Sequence, residues 1–317
     1  MTKPSNLKTL QQELQQALSL INDYSATSSG THKALLDTEG LSNTQSLLER
    51  CAAVVRKNGE IKPKIRIIRH LACSGGTLLS KCIAAMPNVY LLSELHPTTT
   101  LHQGGGKAKF LPLDVSTQAR YAKVPDVQSL TDQIFTSNII RAHNHVQERG
   151  GELVIRAHSH SDYCVGSAAY GGCAVSKLLD PHFEVLSIAS LRDPIDAYLS
   201  LQKKDWLHFQ PNSFEEYCRR VKRFIEDQDL IFSYESFVRE PEQQMKAITS
   251  SLELPYHGSF VDTFGVFNVS GDSGRSGDVI AERTRQEIPV HLKHEIGESQ
   301  TYPDLVKIMK SKELVRS

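Results

Sequence analysis

No stretch of this sequence approaches the roughly 18 consecutive apolar residues of a membrane-spanning helix. The most apolar run near the amino terminus, residues 64–72, is short and carries Arg66 and Arg69. No apolar leader core or cleavage pattern follows Met1, so a soluble, cytoplasmic protein without a membrane partner is expected. Neither sign of charge is in excess, because Lys plus Arg and Asp plus Glu both number 36. So balanced a chain lacks the basic surplus that favours nucleic acid or anionic lipid. Local basic groups can still hold a small anion. Cysteine is sparse: Cys51, Cys73, Cys82, Cys164, Cys173 and Cys218 form no CxxC pair and share no spacing. That excludes an evident zinc ligand set and a disulfide framework, and points to reduced thiols.

What is present reads as an open α/β protein. Leu7, Leu10, Leu14, Leu18 and Ile21 recur at threes and fours, and a second helical pattern covers about 43–57. Residues 1–60 are therefore expected to form a helical appendage that either packs on the core or pairs with a second copy of the chain. From Lys64 the texture changes. Residues 65–72 are β-branched and almost continuous, as a strand buried on both faces requires. Ser74-Gly-Gly-Thr77 breaks the strand and 78–86 reads as a helix. Further strands are expected at 89–93, 152–158, 183–191 and 230–234. Helices are expected at 126–147, from Pro194, and at 213–227, 240–252 and 302–314. Residues 99–124 read as an irregular cover, and the basic run 219–223 as a solvated helix face. Strand and helix alternate from 61 to 317. This order predicts one doubly wound, mostly parallel sheet flanked by helices.

The turn at His70–Leu79 is where chemistry is expected. A strand that ends at paired glycines and restarts as a helix directs several unpaired N–H groups, and the positive end of the helix dipole, at one point. Gly75 and Gly76 let the backbone curl, and Ser74 and Thr77 add hydroxyl donors. A tight turn with glycines for steric reasons alone is the competing explanation. The ATPase form of such a loop, GxxxxGK(S/T), is absent: no lysine precedes Thr77, and no acidic strand end stands ready for magnesium.

Several stretches together resemble the sulfotransferases that use 3′-phosphoadenosine-5′-phosphosulfate (PAPS). Cys73-Ser-Gly-Gly-Thr-Leu-Leu79 is similar to that family's loop, Lys/Arg-Ser-Gly-(Thr/Gly/Ser)-Thr, from the serine onward. Arg192-Asp-Pro-Ile-Asp-Ala-Tyr-Leu-Ser200 is similar to its Arg-x-Pro-x-Asp motif with Ser eight residues after Arg. Residues 232–242 resemble a third family segment, in which Tyr234 and Glu235 are expected to be architectural. Residues 270–278 stand where the family has a loop that closes over the nucleotide.

The resemblance implies a sulfuryl transfer from PAPS to a hydroxyl or amine acceptor, in line and without a metal ion. Ser74, Gly75, Gly76, Thr77 and Leu78 would receive the 5′-phosphosulfate. Arg192 and Ser200 would hold the 3′-phosphate, with Arg275 as a further contact. Val154-Ile-Arg-Ala-His158 is similar to a Lys-x-His strand end in the cytosolic branch, implying Arg156 at the site and His158 as general base. Glu94, with a carboxyl raised by burial, and His96 are the rival bases; His160 is a weaker one. At Cys73 the family usually has Lys or Arg, so charge there would have to come from Arg156, Arg69 or His70. Cys73 as a nucleophile is another option, since helix N-termini lower thiol pKa values. The acceptor, a small molecule or carbohydrate, is not legible. Two alternatives stand beside this function: a small-molecule kinase, and a silent nucleotide-binding protein.

Overall fold

The computed structural model describes residues 62–99, 101, 114–167, 172–270, 279–282 and 285–314, with two isolated positions, 15 and 18. The chain divides into two compact units, Met1–Pro63 and Lys64–Ser317. The helical appendage expected over residues 1–60, and any pairing through it, lies outside the described residues apart from those two positions.

Within the second unit, five strands form one sheet: β1 (Lys64–His70), β2 (Val89–Leu95), β3 (Glu152–Ala157), β4 (Glu184–Leu191) and β5 (Ile231–Ser233). Their order is β2-β3-β1-β4-β5 and every pairing is parallel. A parallel sheet needs crossovers, and the helices between strands supply them. They are α1 (Gly76–Ala84), α2 (Val127–Gln147), α3 (Ser159–Tyr163), α4 (Pro194–Lys203) and α5 (Phe214–Glu226), with shorter pieces between; α6 (Tyr234–Arg239) and α7 (Pro241–Ser251) follow β5. The chain is thus α/β.

The central strand explains its own composition. β1 is paired on both edges, and Ile65, Ile67 and Ile68 are fully buried. Its arginines survive there because each is bonded. Arg66 forms an ion pair with Glu152 and donates to the carbonyl of Leu252 at 2.8 Å. Arg69 donates to Ser176 Oγ at 2.6 Å and to Gln228 Oε1 at 3.1 Å. Pro194 at the start of α4 and Asp193 before it fix that helix's beginning. The Asp193 carboxylate accepts from the backbone N–H groups of Ile195 and Asp196 at 3.0 and 3.1 Å.

Two expectations need correction. The basic run 219–223 is not a solvated face throughout. Arg219 and Arg223 are exposed, but Arg220 is fully buried in α5. Its guanidinium bonds Glu216 at 2.8 Å and the carbonyls of Tyr163 and Gly166 at 2.9 and 2.8 Å, over the ring of Phe209. A helix position facing the core can hold arginine when every donor finds an acceptor. The stretch 99–124 is also not irregular throughout, since Val115–Tyr121 is helical. Asp114 caps it by accepting from the backbone N–H of Thr117 at 3.0 Å.

Candidate functional site

Because the strands are parallel, their carboxyl ends share one edge, the edge where open α/β sheets bind ligands. Each strand delivers a side chain there: His70 ends β1, Glu94 lies in β2, Arg156 in β3 with His158 just after it, Arg192 follows β4, and Tyr234 follows β5. All of them line a cavity of about 350 Å³, together with Cys73, Gly75, Gly76, Thr77, Leu78, His160, Ser200, Lys204, Trp206 and His208.

The loop after β1 turns sharply. Cys73 (φ 63°) and Gly75 (φ 82°) both adopt left-handed backbone, which only glycine takes without cost. The structure gives the glycines a reason other than close approach to a ligand. A Cβ at Gly75 would lie 2.1 Å from the Tyr234 ring, and one at Gly76 would lie 2.1 Å from the His70 ring. The loop is thus seated between two protein rings. α1 still begins here, so its first N–H groups point out of the helix. The hydroxyl of Ser74 is buried with no hydrogen-bond partner among the described residues.

Arg192 and Ser200 meet as their spacing predicts. Arg192 Nη1 donates to Ser200 Oγ at 3.4 Å and to the carbonyl of Cys73 at 3.3 Å, and the guanidinium lies 5.5 Å from the Tyr234 ring centre. Its partners there are neutral oxygens, so its charge is not cancelled by them. Glu235 holds this corner by accepting from the backbone N–H of Asp193 at 3.0 Å. Arg285 grips Asp193 and Asp196. Arg275 lies outside the described residues.

Arg156 is the hub of the opposite wall. It donates to His70 Nε2 through Nε and Nη2 at 2.9 and 2.8 Å, to Ser93 Oγ at 3.2 Å, to the carbonyl of Ser270 at 3.1 Å and to Thr77 Oγ1 at 3.4 Å. It also pairs with Glu94. Burial and the Arg156 charge push the His70 imidazole down, leaving it neutral with Nε2 as an acceptor.

Glu94 reaches this wall through an irregularity. Leu92 to Leu95 is three steps on β2, opposite the two steps from Ile155 to Ala157 on β3. That extra residue is a bulge, and Glu94 takes φ 57° within it. The expected raised carboxyl is corrected here. Burial alone would raise it, but contacts with His70, Arg156 and His158 outweigh burial and hold it at about 2. Glu94 is a fixed carboxylate.

His158 stands 3.7 Å from Glu94 Oε2 through Nε2, and its Nδ1 lies 3.0 Å from Ser161 Oγ. His160 is bonded to His208 at 3.1 Å. Burial, then the neighbouring His208 and His158, push it down to about 3, so it is neutral. His96 is not among the cavity-lining residues. Its Nδ1 accepts from the backbone N–H groups of Thr98 and Thr99 at 3.0 Å, and its Nε2 faces Asp162 at 3.1 Å. Arg69 bonds elsewhere, as described, so of the three charge donors considered for the loop Arg156 is the one in place. Burial pushes the Cys73 thiol up to about 11 against the opposing charges of Lys204 and Arg192, which removes the nucleophile reading.

Lys204 and His208 were missed from the sequence. Lys204 lies four residues after Ser200, a spacing that places both on one helix face. His208 had no such signal. A two-residue parallel pairing of Val165–Gly166 with His208–Phe209 brings it in.

Fold and site together define an open parallel α/β protein with a cation-lined cavity at a glycine loop. Among solved structures it is similar to the sulfotransferase domain from the Synechococcus PCC 7002 olefin synthase, at 17% identity and TM-score 0.46, over 81% of this chain and 98% of that one. It is also similar to the sulfotransferase domain from the curacin biosynthetic pathway, at 15% identity and TM-score 0.45, over 75% and 98%. A third is mouse sulfotransferase SULT7A1 complexed with PAP, at 12% identity and TM-score 0.40, over 77% and 88%. No protein-family model matches the chain, and no curated protein matches its sequence. Among the described residues no helix is long and apolar enough to cross a membrane, and no three His, Cys, Asp or Glu side chains form a metal-holding group.

Proposed function

We propose that the chain is a sulfotransferase that uses PAPS as donor. The observation that carries this is the meeting of Arg192 and Ser200 beside the Gly75–Gly76 loop in one cavity. A guanidinium bonded to neutral oxygens among the described residues, a hydroxyl and a helix N-terminus suit a ligand with two separated anionic groups.

The donor supplies an activated sulfuryl group with a nucleotide bisphosphate as leaving group. The chain's residues supply position and a base. Arg192 and Ser200 hold the 3′-phosphate, and Ser74–Leu78 receive the phosphosulfate end. Arg156, within reach of Thr77, directs positive charge at the transferring group. His158 takes the proton of the acceptor hydroxyl or amine. Glu94, held at about 2, is too weak a base for that step near neutral pH, and it orients His158 instead. A small-molecule or carbohydrate acceptor would enter beside Trp206 and His208.

Calorimetric titration with 3′-phosphoadenosine-5′-phosphate (PAP), with and without magnesium, tests this. Binding should be indifferent to magnesium and fall by roughly a hundredfold in Arg192→Ala, the loss of a charge-assisted contact. No binding, or preference for magnesium-ATP, would overturn the reading in favour of a kinase. Binding without transfer of labelled sulfur to any small-molecule or carbohydrate acceptor would leave a silent nucleotide-binding protein.

A further inference from the structure

We infer that Ser161 and Thr99 are positioning residues that fix the tautomer of His158, so that its Nε2 carries the lone pair; this rests on the base role proposed above. A neutral imidazole holds its proton on one nitrogen, and only the other nitrogen can take a proton from an acceptor. His158 Nδ1 lies 3.0 Å from Ser161 Oγ, and Ser161 Oγ lies 2.7 Å from Thr99 Oγ1. Across the ring, Nε2 faces Glu94 Oε2 at 3.7 Å, and both residues line the cavity. One direction of this chain suits the reaction. His158 Nδ1–H donates to Ser161, the Ser161 hydroxyl donates to Thr99, and Nε2 is the basic nitrogen. The reverse direction would put the proton on Nε2, where it blocks the transfer.

The geometry favours the first direction. A nitrogen-to-oxygen spacing of 3.0 Å and an oxygen-to-oxygen spacing of 2.7 Å are the usual lengths of N–H···O and O–H···O bonds. Thr99 Oγ1 already serves as an acceptor, for the backbone N–H of Leu101 at 3.4 Å. The 3.7 Å to Glu94 is too long for a hydrogen bond, so the carboxylate does not bind a proton on Nε2 in the resting protein. It stands where the proton arrives. As the acceptor bonds to sulfur and the sulfur–oxygen bond to the nucleotide breaks, the acceptor's proton passes to Nε2. The imidazolium so formed keeps Nδ1–H on Ser161 and turns Nε2–H toward Glu94.

The turn that carries Thr99 is itself pinned. His96 Nδ1 accepts from the backbone N–H groups of Thr98 and Thr99, both at 3.0 Å, so the proton of that ring belongs to Nε2, which faces Asp162 at 3.1 Å. Arg120 donates to the carbonyl of Thr98 at 3.1 Å. His96 is thus no base, but it seats the hydroxyl that orients one.

Nitrogen–proton correlation spectra of the full chain, made with isotope-labelled histidine, read the tautomer without nucleotide or acceptor. His158→Gln identifies the signal by its loss, and a pH series finds the range in which the ring is neutral. Wild type should show the proton on Nδ1. Ser161→Ala and Thr99→Val should each lower the ratio of the Nδ1–H to the Nε2–H form by roughly two- to tenfold, the scale of one net hydrogen bond. A wild-type proton on Nε2, or an unchanged ratio in either variant, would overturn the assignment. Thermal melts show whether each variant folds, and either one alone decides if the other does not. PAP titrated into the same proteins should bind both variants as it binds wild type. A loss of PAP affinity that matches the change in tautomer would mark a merely structural role and overturn the assignment as well. If wild type binds no PAP, the donor reading falls, whereas the tautomer stands or falls on the spectra.

Discussion

Replacing Gly76 by alanine separates steric seating from helix preference. By propensity the change should help, since alanine is favoured over glycine in a helix by up to about 1 kcal/mol, and less at the first position. The structure predicts the opposite. The new Cβ would lie 2.1–2.3 Å from the His70 ring, far inside contact distance. The fully buried ring cannot simply swing away, because its Nε2 accepts two N–H groups from Arg156. Overpacking costs about 1–3 kcal/mol, and disturbing a charged buried bond about 1.5–3 kcal/mol more. After the propensity gain, roughly 1.5–5 kcal/mol of destabilisation remains. For a unit of this size that lowers the melting temperature by about 3–10 °C, read by calorimetry or circular dichroism. The diagnostic is the cycle with His70→Ala. Once the ring is gone, Gly76→Ala should cost nothing further, so the two changes should be strongly non-additive. A Gly76→Ala protein that melts at or above wild type, or additive losses in the double variant, would refute the reasoning.

Three further outcomes follow from the same geometry. Arg220→Ala should destabilise by about 3–5 kcal/mol, since it strips Glu216 of its buried partner and leaves the carbonyls of Tyr163 and Gly166 without that donor in the core, whereas Arg219→Ala should stay within about 0.5 kcal/mol in chemical denaturation. Glu94 has a folded pKa of about 2, below its unfolded value. Its stabilisation is therefore full above about pH 4.5 and is lost as pH falls toward 2, so Glu94→Gln should flatten the acid limb of a stability-against-pH curve over that window. With its thiol at about 11, Cys73 should react with iodoacetamide at pH 8 many times more slowly than free cysteine; a rate equal to or above free cysteine would show that the turn activates it.

The sheet was legible because burial on both faces leaves a plain trace. Expected strands at 65–72, 152–158 and 183–191 fall on Lys64–His70, Glu152–Ala157 and Glu184–Leu191. The α4 start was legible from local chemistry, because Asp-Pro can do little else there. The Arg192–Ser200 meeting was legible for a similar reason: a strand end and a position two turns into the next helix are close by geometry alone. What escaped depended on distant partners. Glu94 was expected at the site with a raised carboxyl, but the lowering comes from His70 and Arg156, 24 and 62 positions away in sequence. Arg220 looks like any member of a basic run until the carbonyls at 163 and 166 arrive beneath it. His96 looked like a site residue from its neighbourhood, yet its bonds are spent on its own turn and on Asp162.

The strand order has a consequence for how the protein comes into being. Of the five sheet strands β1 is made first, yet its neighbours in the sheet are β3 and β4, which begin 88 and 120 residues later. Pairings of such long sequence separation form slowly, and the early strand must wait for them with its isoleucines uncovered. The cavity needs side chains from the ends of all five strands, the last being Tyr234. A nascent chain, or a fragment ending before that point, therefore has no site at all. Nucleotide binding would appear only at the end of assembly, which makes it a reporter of completed folding and leaves chaperone demand greatest while β1 is waiting.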